Sequence, residues 1–208
     1  MRSLLLSFTI LVHLCTIAQH GPRIGLGLAT QSTGALFQNT SDLMPGPIVG
    51  WHFEIPVHPQ VSIMPEFLIL TKGYLARDPM RSIRSRATFR YLEVPLLAKI
   101  SVDQDVDGIY LLAGPSVGYF LSGTYRQWQQ GSLIIDGRFE TGSNVRRLEF
   151  SGVVGLGMES HRWAFDIRAQ TSVTPFDRFL RIQNVVYGLT VAYRLRAPEA
   201  AGEEDGID

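Results

Sequence analysis

The stretch from Gly108 to Gly123, GIYLLAGPSVGYFLSG, carries no charge and separates into two faces when read with a period of two. Ile109, Leu111, Ala113, Pro115, Val117, Tyr119 and Leu121 form one face, and Tyr110, Leu112, Gly114, Ser116, Gly118, Phe120 and Ser122 the other. A transmembrane helix needs about 20 apolar residues, and Gly114, Pro115 and Gly118 would disrupt a buried helix. The run reads instead as a strand that is greasy on one side and small, polar or aromatic on the other.

The same alternation returns along the chain. Leu92, Val94, Leu96, Ala98 and Ile100 alternate with Tyr91, Glu93, Pro95, Leu97 and Lys99; Phe150 to Met158, Trp163 to Thr171 and Val185 to Leu195 behave alike. With earlier strands near Arg23–Gln31, Ile48–Ile55 and Val61–Lys72, the count is about eight, near the smallest number that closes a membrane barrel. The charges Arg23, Glu54, Glu66, Lys72, Glu93, Lys99, Glu149, Glu159, Asp166, Arg168 and Arg194 share a face with glycines, serines and alanines. The opposite face stays apolar for about nine to eleven residues, the length of a membrane-spanning strand. The greasy face is therefore expected to meet lipid and the charged face a narrow lumen.

Connection lengths agree. Those after the second, fourth and sixth strands (Pro56–Gln60, Asp103–Asp107, Ser160–Arg162) are short, and the others are longer and rich in Gly, Ser, Arg and Asp. Outer-membrane barrels pair tight periplasmic turns with long external loops, and an even strand count leaves both termini in the periplasm. The expected fold is an all-β, antiparallel, up-and-down transmembrane β-barrel.

The ends of the 208-residue chain read differently. Residues 1–18 combine Arg2, an apolar stretch from Leu4 to Leu14 and Thr16-Ile17-Ala18, the pattern of a cleaved secretory signal peptide. Residues 19–196 form the barrel domain. Residues 197–208 hold Glu199, Glu203, Glu204, Asp205 and Asp208 among Gly and Ala, an acidic disordered tail. Without Arg2 and those five acids the chain keeps 18 basic and 14 acidic residues, which is no nucleic-acid footprint. Cys15, the only cysteine, leaves with the signal peptide, so no disulfide or thiol chemistry is expected.

Inside an eight-stranded barrel there is barely room for side chains, so Glu54, Glu66, Glu93, Lys99, Glu149, Asp166, Arg168 and Arg194 are expected to pair as a lumen charge network. Glu66 and Glu93 are expected at nearby heights, with Lys99 or Arg168 as countercharge. A narrow solute path lined by these groups is the alternative, and nothing sets one carboxylate apart as an acid/base catalyst. Phe53, Trp163 and Tyr193 fall near the turn ends of their strands and Tyr119, Phe150 and Tyr187 nearer the loop ends, as two aromatic girdles would. Pro65, Pro95 and Pro115 lie on consecutive strands and predict bulges or a local break in the ladder. His52 faces the lumen beside Glu54, while His58 and His161 sit at turns. No HExxH, GxSxG or nucleotide loop appears, and no catalytic residue, metal or cofactor is expected.

The third connection, Gly73 to Thr88, holds Arg77, Arg81, Arg84 and Arg86 with Lys72 at its edge. As an external basic loop it would suit the phosphates of lipopolysaccharide or an acidic partner surface.

The segments FEIPVHPQVSIMPEFLILTKG (Phe53 to Gly73), RYLEVPLLAKI (Arg90 to Ile100), GIYLLAGPSVGYFLSG and YGLTVAYRL (Tyr187 to Leu195) resemble the PorT-type outer-membrane β-barrel family common in the Bacteroidetes phylum. YLEVPLL and LLAGPSVGY, in this order and separation, are the most specific pieces. The resemblance implies an eight-stranded barrel in the outer membrane of a Gram-negative cell. For some members it implies a part in type IX protein secretion or gliding, with outer-membrane lipid and secretion or envelope proteins as partners. Family chains often stop at an aromatic in the last strand, whereas here Leu195 runs on into the acidic tail. Three further readings stand beside the structural or accessory one: a soluble lipocalin-like binding barrel, with the faces reversed; a narrow solute channel; and a lipid-modifying barrel enzyme, which would require His52.

Overall fold

The computed structural model describes residues 19–33, 41–102, 107–139, 146–176 and 182–195. The expected signal peptide at 1–18 and acidic tail at 197–208 lie outside the described residues. Nine strands follow in chain order: β1 (Gln19–Thr33), β2 (Met44–His58), β3 (Val61–Asp78), β4 (Ile83–Ser101), β5 (Gly108–Gln129), β6 (Ser132–Arg138), β7 (Leu148–Ser160), β8 (Trp163–Ser172) and β9 (Ile182–Tyr193). All pairings are antiparallel. β6 pairs with β5 above the ring, β5 pairs on with β7, and β1 pairs with β9, so eight strands close a barrel. Closure is what permits strands in hydrocarbon, because it leaves no open sheet edge.

Alternation sets which side is which. Ile167 is 65 % exposed and its neighbour Arg168 is 7 %; along β4, Leu92, Val94, Leu96, Ala98 and Ile100 are exposed while Tyr91, Glu93, Pro95, Leu97 and Lys99 are buried. The greasy residues cover the outer wall and the charges fill the inside. A lipocalin-like barrel needs the opposite, so that reading is overturned. Moving each large outer side chain from water into lipid favours insertion by about 1.5–3 kcal/mol.

One local feature meets an expectation and the others depart from the expected plan. Next to each of Pro65, Pro95 and Pro115 two cross-strand pairs drop out of one flanking ladder. The register is the same on both sides of each gap, so there is a local break and no bulge. A bulge does occur farther along the β4–β5 ladder: Arg90 pairs with Ser122 and Tyr91 with Phe120, leaving Leu121 extra. Above it the parity of β5 is exchanged, which turns Arg126 and Trp128 outward. Finally, the stretch from Gly73 to Thr88 is no loop. β3 and β4 stay paired from Gly73↔Thr88 to Asp78↔Ile83, and only residues 79–82 turn. β5 and β6 form a second raised hairpin closed at Gln130 and Gly131, both with positive φ.

Candidate functional site

The inner wall carries eleven buried charged side chains, stacked in three layers between the short-turn end and the hairpin end. Lowest, Lys99 reaches Glu54 at 2.6 Å and Glu159 at 2.5 Å, and Arg194 pairs with Glu54 at 3.1 Å and with Glu159. In the middle, Arg168 grips Glu66 through two bonds of 2.6 and 2.9 Å and pairs with Asp166. Arg23 lies 3.2 Å from the same Glu66 and also bonds Asp166. Thr190 donates to Asp166 at 2.8 Å and Tyr110 at 3.1 Å, which occupies the remaining lone pairs. Both layers match two cations to two carboxylates. Removed from water, such charges are tolerable only with this degree of pairing.

The highest layer is uneven. Lys72 meets both Glu93 and Glu149 at 2.5 Å. Neutral donors complete the shell: Ser116 at 2.6 Å and Gln170 at 3.2 Å to Glu93, and Asn184 at 2.7 Å to Glu149. The Lys72 ammonium also sits 4.7 Å from the Tyr91 ring centroid, a cation–π contact. Above it, Phe89 packs against Phe176 at 4.6 Å and Phe139 at 4.9 Å, with Phe120 alongside. This aromatic plug caps the charged layers.

Glycines make the layers fit. Gly157 faces Tyr110 across the β5–β7 ladder, and a Cβ there would fall 2.2 Å from the ring. Gly118 faces Glu93 in the same way, at 2.3 Å from its carboxylate. The tyrosine and the glutamate lie over bare backbone.

Two expectations about the network require correction. Glu66 and Glu93 do not share a site: each belongs to its own layer, Glu66 with Arg168 and Arg23, Glu93 with Lys72. Lys99 serves neither, since its partners are Glu54 and Glu159. Lys72, expected on the inward face and also at the edge of the basic stretch, is a 1 % exposed lumen residue. Tyr91, Tyr110, Ser116, Gln170, Asn184 and Thr190 were not anticipated as members, although each lies at an inward position of its strand.

Among the described residues, little free space borders the lower and middle ion pairs. A void of about 20 Å³ borders Arg168, Gln170 and Thr190 in the middle, and no water-sized space remains beside Lys99 and Arg194 below. His52 is 1 % exposed and turned toward the lumen, with the barrel wall between it and lipid. Among the described residues no three His, Cys, Asp or Glu side chains gather as a metal ion would require.

On the outer wall, Trp163 and Tyr193 are cross-strand partners that meet edge to face at 4.9 Å, and Arg162 donates to the Tyr193 hydroxyl at 3.2 Å. Phe53 packs against His20 at 5.9 Å and Phe67 at 6.3 Å. Toward the hairpin end, Tyr119 accepts a bond from Arg147 at 3.3 Å, and Phe150 is 52 % exposed, with Tyr187 half-buried. Arg77, Arg84 and Arg86 project from paired strands of the raised β3–β4 hairpin, and Arg81 from its tip. Arg77 pairs with Asp42 at 3.2 Å and Arg81 with Asp78 at 4.0 Å.

Residues 18–178 match the family model described as outer membrane protein beta-barrel domain. Among solved structures, the attachment invasion locus protein Ail of Yersinia pestis aligns at 11 % identity over 85 % of this chain and 98 % of that chain, with a TM-score of 0.47. Neisserial surface protein A aligns at 8 % over 85 % and 98 %, TM-score 0.48, and CarO2 of Acinetobacter baumannii at 13 % over 85 % and 99 %, TM-score 0.44. No curated protein sequence matches this chain. The chain closes a ring of eight antiparallel strands, and it belongs to the outer membrane protein beta-barrel domain family and resides in the outer membrane.

Proposed function

We propose that this barrel is a sealed, non-catalytic wall element of the PorT type, with a structural or accessory role in envelope function or protein secretion of the type IX kind. It stands with its short turns in the periplasm and its raised hairpins outside. Phe53, Trp163 and Tyr193 mark the inner interface and Tyr119, Phe150 and Tyr187 the outer one. The observation that carries the reading is the filled lumen: three ion-paired layers under an aromatic plug, around a void of about 20 Å³. A solute path needs a continuous column of water, and such a void holds about one molecule. A lipid-modifying enzyme needs a catalytic group open to lipid, and His52 is walled away from it. The lumen therefore supports the barrel, and work on partners falls to the outer wall and the hairpins.

Two measurements test this. In planar bilayers the purified barrel should give no unitary conductance, whereas steady single-channel steps would point to a channel. Deletion from its host should reduce the delivery of secreted or surface proteins without changing lipid A structure. Normal secretion would remove the accessory role, and altered lipid A would restore the enzymatic reading.

A further inference from the structure

The outer face of β4 changes character abruptly. From Ile100 to Leu92 every outward residue is apolar; from Arg90 to the hairpin tip the outward residues are Arg90, Thr88, Arg86 and Arg84. With about 3.4 Å per residue and a tilt of about 40°, the apolar part rises about 21 Å, close to the height of a barrel's lipid-facing band. Arg90 then stands about 5 Å beyond the hydrocarbon and Arg86 about 15 Å.

The register places like charges directly opposite one another on this face. Arg77 pairs with Arg84 across β3–β4, and Arg86 with Arg126 across β4–β5. Opposed like charges destabilise a ladder. Asp42 on Arg77 and Asp136 on Arg126 offset part of this, but both are exposed pairs of little strength. Among the described residues no carboxylate pairs with Arg84, Arg86 or Arg90. Arg77, Arg84 and Arg86 line a cavity of about 370 Å³ together with Leu75, the cross-strand neighbour of Arg86, and with Pro45 and Trp128. That volume is at the lower end of small-ligand sites.

We propose that this cavity and the arginine column below it bind the phosphorylated sugar headgroup of an outer-leaflet glycolipid. The position selects the ligand. The site continues the lipid-facing surface of the same strand from Arg90, about 5 Å beyond the hydrocarbon, to Arg86, about 15 Å beyond it, so an anion that reaches it lies against the barrel wall within the sugar layer of a glycolipid. Guanidiniums take phosphate oxygens through paired bonds, Trp128 offers an aromatic face to a sugar ring, and Leu75 and Pro45 supply apolar contact. The proposal rests on the outward orientation of the hairpins given above.

The test uses the whole barrel in nanodiscs with purified rough-type lipopolysaccharide, intact or chemically dephosphorylated, and measures the glycolipid retained after exchange into neutral lipid. At about fivefold per headgroup-level arginine, Arg84→Gln with Arg86→Gln should weaken retention of the phosphorylated form about 25-fold. Trp128→Leu should weaken it independently, and Arg162→Gln at the turn end should not. Unchanged retention in the double variant, equal retention of the dephosphorylated form, or an equal loss in Arg162→Gln would overturn the site. Full displacement by equimolar inorganic phosphate would show a free-anion site and overturn the lipid assignment. Folding of each variant is checked by its heat-dependent gel shift. Orientation is tested separately: Met80→Cys at the 99 % exposed tip should react with an impermeant maleimide on intact cells. Labelling only after lysis would overturn the orientation, whatever the nanodisc result.

Discussion

Replacing Arg168 with methionine removes one of the two cations from the middle lumen layer while nearly conserving side-chain volume. The side chain donates twice to Glu66, at 2.6 and 2.9 Å, and also bonds Asp166; Glu66 and Asp166 are 0 % and 2 % exposed. After the change, Arg23 alone faces two carboxylates, 3.2 Å from Glu66. Breaking a buried pair typically costs about 3–5 kcal/mol, because the charge left behind has no partner and no water. Arg168→Met should therefore lower the folding free energy by about that much, a factor of about 10² to 5 × 10³ in the folding constant. The surviving Arg23 favours the low end. Adding Glu66→Gln restores one cation to one anion, Arg23 with Asp166, and should return about 2 kcal/mol of the loss, the coupling expected of neighbours in one network. Urea titration in lipid vesicles, with the folded fraction read from gel mobility before and after heating, measures both. A single-variant loss under about 1 kcal/mol, or a double variant no better than the single, would refute the reasoning, since the lumen would then be wet enough to solvate a lone carboxylate.

Gly157→Ala should destabilise the barrel by about 1–3 kcal/mol, because its Cβ would fall 2.2 Å from the Tyr110 ring and displace the hydroxyl that bonds Asp166. Gly152→Ala, with no atom within 4 Å of the new Cβ, should stay within about 0.5 kcal/mol in the same urea titration. Leu96→Arg, at the middle of the β4 lipid face, should cost about 2–4 kcal/mol, and Ile100→Arg near the turn end only about 0–1 kcal/mol. Equal penalties at the two positions would mean that β4 does not cross the bilayer as described.

The eight ring strands were legible because two requirements coincide in them. A strand alternates sides at every residue, and within the bilayer one side must be apolar and the other polar, so β4 declares itself from Leu92 to Ile100. Above the bilayer the second requirement lapses. Arg84, Arg86 and Arg90 can occupy the outward positions that Leu92 and Leu96 hold below, and a paired hairpin then looks like a basic loop. β6 escaped notice for the same reason: Leu133, Ile134 and Ile135 are all exposed, so no buried face marks the strand. Which lumen charges were inward could be read from parity alone. Which of them pair could not, because the partners lie across the lumen. Glu66 on β3 meets Arg168 on β8 and Arg23 on β1, and the stagger that brings them together arises only when β1 finds β9. The prolines show a similar limit: a missing N–H predicts a gap in the ladder, but the strands on either side held their register and no bulge was needed.

The distribution of charge argues for where function can reside. The two lower lumen layers are each balanced two against two, and the surplus carboxylate of the highest layer is met by Ser116, Gln170 and Asn184, so the lumen charges find their partners within the barrel. On the outer wall the same side chain types are used in the opposite way. Arg77 faces Arg84 and Arg86 faces Arg126, with Asp42 and Asp136 the only carboxylates paired to this group among the described residues. An interior that satisfies its own charges specifies and seals the barrel. An exterior that pairs them only in part, above the apolar stretch of β4, is open to an external anion, and in the proposed orientation the outer leaflet supplies anions on that side.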